Sequence, residues 1–402
     1  MPEEIPTTGS EVHRRDDGQV RWRAAAWAVW LLPLLVITIL VVARPEKRTV
    51  TPVYHNAAQR WLHREALYDG PWGRNYYYFP QFAVLFVPFH LPPRVVGDIL
   101  WRGTAAAGLA VGVWLFCGAI SAADRQRAFV LVTLLALPLS LAALQNGQAN
   151  AHFGATLLLA AGCLKVRRWW AAALFLCVAT AIKPLGIAAL GLAWATYPQL
   201  RWRLAVALSI LAAFPFFFGP PRYVWSQYVA SLDNLRQGLE MTEHRFADLN
   251  GLLRTFGIAL TGKASLAMRA SAGIVMTGFC WTAARREAEP LRSLVWLSIT
   301  AGYLMLFNPM TEANSYVILA PVLALMAWRF LSVGEKRLSW LVAGMALTMG
   351  LLPNLLRPLL GNYFALFWHP TMTLIFLSVM TWQLLGIGDS RPDPAGAAVG
   401  PT

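Results

Sequence analysis

Apolar runs of about twenty residues, separated by short basic clusters, constrain this chain more than any other feature. The first runs from Ala24 to Ala43, directly after Arg14, Arg15, Arg21 and Arg23. A run of that length matches the hydrocarbon thickness of a bilayer when helical. The pattern then recurs to the end of the chain, with 57% hydrophobic and 13% charged residues and a mean hydropathy of +0.49. These values exclude an ordinary soluble domain. We expect an all-α integral membrane protein of about eleven or twelve transmembrane helices. We expect a single polytopic domain over 24–387, with disordered cytoplasmic tails at 1–23 and 388–402.

The net charge of +14 belongs to topology and not to nucleic acid, because the basic residues punctuate apolar segments instead of forming a continuous polar face. The first run is too long for a signal-peptide core, and no small-residue cleavage site follows it. It reads as an uncleaved span with a cytoplasmic N-terminus. Arg125 and Arg127, Lys165 to Arg168, Arg201 and Arg203, Arg285 to Arg292, and Lys336 and Arg337 then fall on the same side. Cys117, Cys163, Cys177 and Cys280 lie inside apolar runs and read as small hydrophobes, neither a metal site nor a disulfide framework.

One segment breaks the pattern. The run from Trp169 to Tyr197 has basic clusters at both ends, so it must enter the membrane and return. As one straight helix it would reach ~43 Å, whereas two halves reach ~21 Å each. Lys183-Pro184 is the natural apex, since proline disfavours helical geometry in the residue before it. A single long kinked span is the competing picture. A lysine at membrane depth costs roughly 2.5–3.5 kcal/mol on insertion scales unless it snorkels or finds a partner. Lys183 therefore either snorkels to the interface or serves as counter-ion to a buried anion such as a lipid phosphate.

Further spans are expected near 98–120, 127–144, 151–165, 203–218, 265–284, 291–308, 315–333, 338–353 and 368–387. Phe82 to Phe89, bounded by prolines, is too short to cross and reads as interfacial or re-entrant. Two long loops, Arg44 to Phe79 and Gly219 to Thr261, fall outside. Polar residues gather at this outer end. The turn "LQNGQANAHF" concentrates Gln145, Asn146, Gln148, Asn150 and His152, more amide than an Asn-Gly turn requires. "FNPMTEANSYVILAP" places Glu312 and Asn314 at the lip of a span, and "ADLNGLLRTFG" offers Asn250 and Arg254 on an interfacial helix. Each has a plainer reading: turn chemistry, a solvated carboxylate, or an arginine on ordinary lipid phosphate.

Taken together, "VYHNAAQRWLHREALYDG", "YYYFPQFAVLFVPFHLPP", "QNGQAN", "AIKPLG" and the Asn250 to Arg254 patch, in this order, resemble glycosyltransferase family 87. The resemblance implies a GT-C fold with exterior re-entrant helices. It also implies a polyprenyl-phosphate-linked sugar, usually mannose, as donor and co-substrate, and a lipid or cell-envelope glycan as acceptor. The setting would be the plasma (bacterial inner) membrane, with the active site on the exterior side and no nucleic-acid partner. No cofactor or metal site is expected. Two departures stand out. Family members commonly carry an aspartate a few residues before the position of Tyr54, where this chain has Val50 and Thr51. They often carry paired histidines where this chain has Asn314 and Ser315.

Glycosyl transfer from a lipid phosphate needs a base for the acceptor hydroxyl and fixed cations for the departing phosphate. Glu312 or Glu46 would serve as base, and Lys183 with Arg254 would hold the phosphate. Tyr54, Asn146, Gln148, Asn150, Asn250, Asn314 and Tyr316 are the candidate substrate-binding residues. Two other readings stay open: a transporter or flippase of a lipid-linked or anionic substrate, and a catalytically inactive scaffold.

Overall fold

The computed structural model describes residues 9–69, 76–120, 124–239 and 246–386. All regular structure among them is helical. Helix α1 (Gly9–Ala43) comes first, followed by the short helices α2 (Thr51–His63) and α3 (Pro80–His90). Then come α4 (Arg94–Ile120), α5 (Arg125–Asn146), α6 (Ala149–Lys165), α7 (Trp169–Ile182) and α8 (Gly186–Thr196). The second half holds α9 (Arg201–Ala213), α10 (Pro221–Leu239), α11 (Leu249–Thr255), α12 (Gly262–Arg286) and α13 (Leu291–Phe307). It closes with a 3-10 segment (Ala313–Ile318), α14 (Ala320–Ser332), α15 (Lys336–Leu360) and α16 (Tyr363–Leu385).

Among the described residues six segments are long and apolar enough to cross unaided: Arg21–Ala43, Arg94–Gly118, Arg125–Asn146, Pro198–Phe217, Lys336–Leu360 and Tyr363–Leu385. Other expected spans take the form of shorter apolar helices (α7, α8, α13 and α14). The result is an all-helical, multi-pass bundle of GT-C type. The tail expected at 1–23 is helical from Gly9 onward: its last proline is Pro6, and nothing after that interrupts continuation into α1. The tail at 388–402 lies outside the described residues.

The hairpin reading of 169–197 is the one the fold adopts. Trp169, at the start of α7, and Tyr197, just past α8, bring their rings to 5.9 Å, so the segment returns to the level at which it entered. Lys183 is extended (φ −144, ψ 135) and ends α7. At Gly186 a Cβ would stand 2.5 Å from the Thr180 hydroxyl and 2.6 Å from its backbone, so only glycine lets α8 start so close to α7.

The centre of the bundle is α6. Small residues draw its neighbours in, as is usual for helices packed in lipid. A Cβ on Gly108 or Gly112 of α4 would meet the side chains of Ala155 (2.9 Å) or Leu158 (2.6 Å). Gly154 lies against the backbone of Ile318 in the 3-10 segment.

At the end of the bundle that holds the turn between α5 and α6, α2 is amphipathic, burying Tyr54, Ala57, Ala58 and Trp61, one face of a helix. Sequence reasoning left the start of the second exterior loop without a helix. There α10 buries Val224, Gln227 and Ser231 and exposes Trp225, Val229 and Leu232. It is tied to the first loop by Gln227 Oε1, which accepts from Leu67 N (2.9 Å). Asn234 Nδ2 also donates to Tyr76 O (2.9 Å).

Candidate active site

The turn between α5 and α6 organises the outer end of the bundle. Gly147 ends α5 in the left-handed region (φ 63). Its N–H donates to Leu144 O (3.1 Å), and that of Gln148 to Ala143 O (3.0 Å). This glycine C-cap satisfies the last carbonyls of α5 and turns Gln148 and Asn150 inward. Gln148 Nε2 donates to Glu312 Oε2 (3.0 Å). Asn150 Nδ2 donates to Gln148 Oε1 (3.0 Å) and Ser315 Oγ (3.1 Å). Ser315 Oγ also accepts from Glu312 N (3.2 Å). The turn and the 3-10 segment, more than 160 residues apart in sequence, thereby form one polar surface.

Two features of that surface remain open to a ligand. Glu312 is exposed, although its carboxylate accepts from Gln148 and, as a capping box, from the Ser315 N–H, and the buried Asn150 Oδ1 has no partner among the described residues. Buried polar atoms in native folds are nearly always hydrogen-bonded, so this acceptor suits a ligand hydroxyl. Tyr54 closes one side: its hydroxyl accepts from Ala149 N (3.2 Å) and pairs with Tyr78 Oη (3.0 Å). Burial pushes the Tyr54 phenol up to about 12 and the Tyr78 phenol well above its ordinary value. Both therefore stay protonated at neutral pH. Lys183, at the hairpin apex, is half-buried and within electrostatic reach of Glu312, and among the described residues its ammonium makes no hydrogen bond or ion pair.

The structure therefore brings together Tyr54, Gln148, Asn150, Lys183 and Glu312, and it places the other candidates differently. Glu46 is exposed and spent on Arg94, with oxygen–nitrogen distances of 2.6 and 3.1 Å. The Tyr316 side chain is fully buried, donates to Ala247 O (2.8 Å) and packs on His369. Asn250 is also buried, and its Nδ2 donates to Leu260 O (2.8 Å). These two hold the exterior loop together. Arg254 is half-buried on α11 and acts with Arg269 on Asp248. Asn314 is half-buried. Asn146 holds the turn to the first loop through its carbonyl, which accepts from Val50 N (3.0 Å).

A second polar cluster was not anticipated. Asp98 is fully buried in α4, where His55 Nε2 meets its Oδ1 at 3.2 Å. Arg102, one turn on, lies 3.8 Å from the same oxygen and donates to Gln145 O (3.0 Å) and Thr49 Oγ1 (3.0 Å). His55 Nδ1 reaches His90 Nδ1 at 3.3 Å. The signal was present in the sequence: an Asp and an Arg four apart at the head of an apolar helix, where ionisable residues are costly and need partners. Asp248 was also missed. It is buried, caps α11 by accepting from Gly251 N (2.6 Å), and burial raises it to about 6.

A family model described as glycosyltransferase family 87 matches residues 76–309, more than half of the chain. The match includes Gln148, Asn150, Lys183 and Arg254 and ends just before Glu312. Neither curated proteins nor solved structures returned a match.

Proposed function

The chain belongs to glycosyltransferase family 87. From that premise and the site geometry we propose that it transfers a hexose, in the specific form mannose, from a polyprenyl-phosphate donor. The acceptor is a lipid or cell-envelope glycan at the exterior face of the plasma membrane. One observation carries the reading. A half-buried lysine with no hydrogen-bond or ion-pair partner among the described residues lies within electrostatic reach of an exposed carboxylate, on a polar surface with a buried acceptor that is also free among the described residues.

The roles follow from the chemistry. The Glu312 carboxylate takes the proton of the acceptor hydroxyl as its oxygen bonds to the anomeric carbon. The bond from that carbon to the phosphate oxygen breaks, and the electron pair leaves with the polyprenyl phosphate. By analogy with glycoside hydrolysis, positive charge develops on the sugar ring in between. Lys183 stabilises the charge gained by the phosphate; Arg254, the second cation expected from the sequence, stands on α11 beside Asp248. Gln148 orients Glu312, and Asn150 Oδ1 accepts from a sugar hydroxyl. Tyr54, protonated at neutral pH, donates a hydrogen bond and takes no proton.

Asp98 stands beside Thr51, where the family commonly has its loop aspartate. It is fully buried and engaged with His55 and Arg102, so it positions α2 and does not reach an acceptor. Glu46, spent on Arg94, is the weaker candidate base.

The direct test is turnover of polyprenyl-phosphate mannose by purified protein, read by mass spectrometry of the lipid products. Absence of transfer to any envelope glycan fraction would refute the reading. Orientation is tested with a cysteine at Ser226, an exposed residue of α10. An impermeant reagent should label it in intact cells, and labelling only after lysis would reverse the topology. Of the four native cysteines Cys117, Cys177 and Cys280 are buried, which keeps background low.

A further inference from the structure

The end of the bundle away from the candidate active site carries an ordered cluster of cations. It lies where α7 and α9 pack side by side, at the level marked by Trp169 and Tyr197, the length of α7 away from Lys183. Trp170, in the first turn of α7, and Trp202, in the first turn of α9, meet edge to face with ring centroids 5.0 Å apart. The Arg203 guanidinium stands 4.6 Å from the centre of the Trp202 ring and 5.9 Å from that of Trp170. Arg201 Nε donates to Trp194 O (3.1 Å). Arg167 and Arg168 are exposed in the turn that leads into α7. Among the described residues none of these four arginines forms an ion pair with a carboxylate.

Orientation across a bilayer needs positive charge between spans and nothing more. Here the charge is also held in place. Two indole rings bracket one guanidinium, an attraction that grows as water is excluded. Among the described residues Arg203 makes one hydrogen bond, from Nη1 to Gln199 O, so Nη2 is unspent. A guanidinium fork of this kind matches the geometry of a phosphate. Both α7 and α9 begin here, neither capped by a side chain, and their positive dipole ends add to the same local potential.

Toward the middle of the bundle the wall beside the arginines is apolar and bare. Leu174 follows Trp170 by one turn of α7, and Val206 and Ile210 follow Trp202 by one and two turns of α9; all three are exposed. From Trp202 to Ile210 the stripe is ~12 Å long at 1.5 Å per residue. Fixed cations at one end of an exposed apolar stripe match the two parts of a phospholipid, its phosphate and its acyl chains.

We propose that the seam between α7 and α9 binds an anionic phospholipid of the leaflet opposite the candidate active site. Its headgroup phosphate lies on Arg201 and Arg203, and its acyl chains lie along α7 and α9. None of these residues belongs to the transfer machinery, so the site stands or falls independently of the reaction.

The test titrates the full-length protein in detergent with dioleoyl phosphatidylglycerol or dioleoyl phosphatidylcholine and counts bound lipid by native mass spectrometry. Both lipids carry a phosphate and the same chains; only the first has a net negative charge. Wild type should retain one phosphatidylglycerol at least ~10-fold more tightly than phosphatidylcholine. Arg201→Gln combined with Arg203→Gln should abolish that preference, with the melting temperature as the check on folding. Arg201→Gln alone, at an exposed residue, should weaken phosphatidylglycerol roughly 5-fold and serves if the double variant does not fold. Trp202→Leu keeps the wall apolar but removes a ring beside the guanidinium, and should weaken phosphatidylglycerol and not phosphatidylcholine.

Two controls fix the location. Arg285 stacks on Trp281 at 3.8 Å and lies at the same end of the bundle, close to Glu289, whose Oε1 accepts from Tyr197 Oη (3.0 Å). Arg285→Gln and Lys183→Met should both leave the preference intact. A loss in Arg285→Gln equal to that in the arginine pair would reduce the effect to diffuse surface charge and overturn the site. Loss in Lys183→Met would move the lipid to the candidate active site. Equal retention of the two lipids by wild type, or a preference that survives both the arginine and the Trp202 variants, would also overturn it.

Discussion

Tyr54 and His55 are neighbours in α2, yet they belong to two polar clusters with opposite character. His55 joins Asp98, Arg102, Thr49 and His90, where the charges are buried and engaged with one another and with backbone carbonyls. Tyr54 joins Gln148, Asn150, Ser315 and Glu312, with Lys183 in electrostatic reach of Glu312, where a carboxylate is exposed and an ammonium and an amide oxygen have no hydrogen-bond partner among the described residues. Both use the residue types expected of an active site. The first cluster spends most of its valences on holding α2 against the turn at 145–150, and its one orphaned oxygen, Asp98 Oδ2, is sealed in the interior. The second has an exposed carboxylate and a half-buried ammonium that a ligand can reach. What separates a site from a brace here is access to the unmet hydrogen-bonding capacity, not the presence of charge.

The sharpest way to break this comparison is at the two carboxylates. Glu312→Gln keeps the shape and the contact from Gln148 but cannot take a proton, so transfer should fall by roughly 10²- to 10⁴-fold with donor binding retained. Glu46→Gln, altering a surface ion pair, should leave turnover near wild type. The opposite pattern would move the base into the first loop, and unchanged turnover in both variants would end the carboxylate mechanism.

Asp98→Ala should act on the fold. Removing one partner of a buried ion pair leaves the other uncompensated, a loss of about 3–5 kcal/mol, read as a lower melting temperature. A variant that melts like wild type but does not turn over would show that Asp98 acts in the chemistry after all.

Lys183→Met divides the clusters further. An unpartnered lysine can lose its charge without loss of stability, while a phosphate ligand cannot be lost without cost to binding. We expect an unchanged melting temperature and prenyl-phosphate affinity weakened roughly 10- to 100-fold, the worth of one hydrogen bond to a charged group.

The smallest effect is expected at Asp248. Burial raises its folded value to about 6, from 3.8. Between those two values the folded state holds a proton that the unfolded state has lost, so stability present below pH ~4 declines as pH rises to ~6. Asp248→Asn keeps the cap on Gly251 and should remove that slope from melting curves in detergent. A slope that persists would assign it to another group.

Much of this was legible in the sequence because lipid simplifies the problem. Length and apolarity place helices, basic clusters orient them, and Lys183-Pro184 between two basic clusters marks a hairpin that the 5.9 Å approach of Trp169 and Tyr197 bears out. Gln148, Asn150 and Glu312 stood out as polar residues at the outer ends of spans, and they meet. Local pattern could not say which of the remaining candidates were already spent. Tyr316 looks like a ligand in one dimension and is consumed by Ala247 O in three, as Glu46 is by Arg94, while Asn250 spends its Nδ2 on Leu260 O and keeps a buried Oδ1 without a partner among the described residues.

The sequence by itself determined the class of the protein, a multi-pass helical bundle, and the hairpin at Lys183-Pro184, because both follow from the cost of placing charge or unpaired backbone in hydrocarbon. The tertiary structure decided the rest: that the turn after α5 meets the segment before α14, that Asp98 comes from α4 to brace α2, and that Trp170 of α7 meets Trp202 of α9. Those are pairings between residues far apart in the chain. They depend on which small residues let which helices approach, as Gly154 does against Ile318, and no local spacing encodes that.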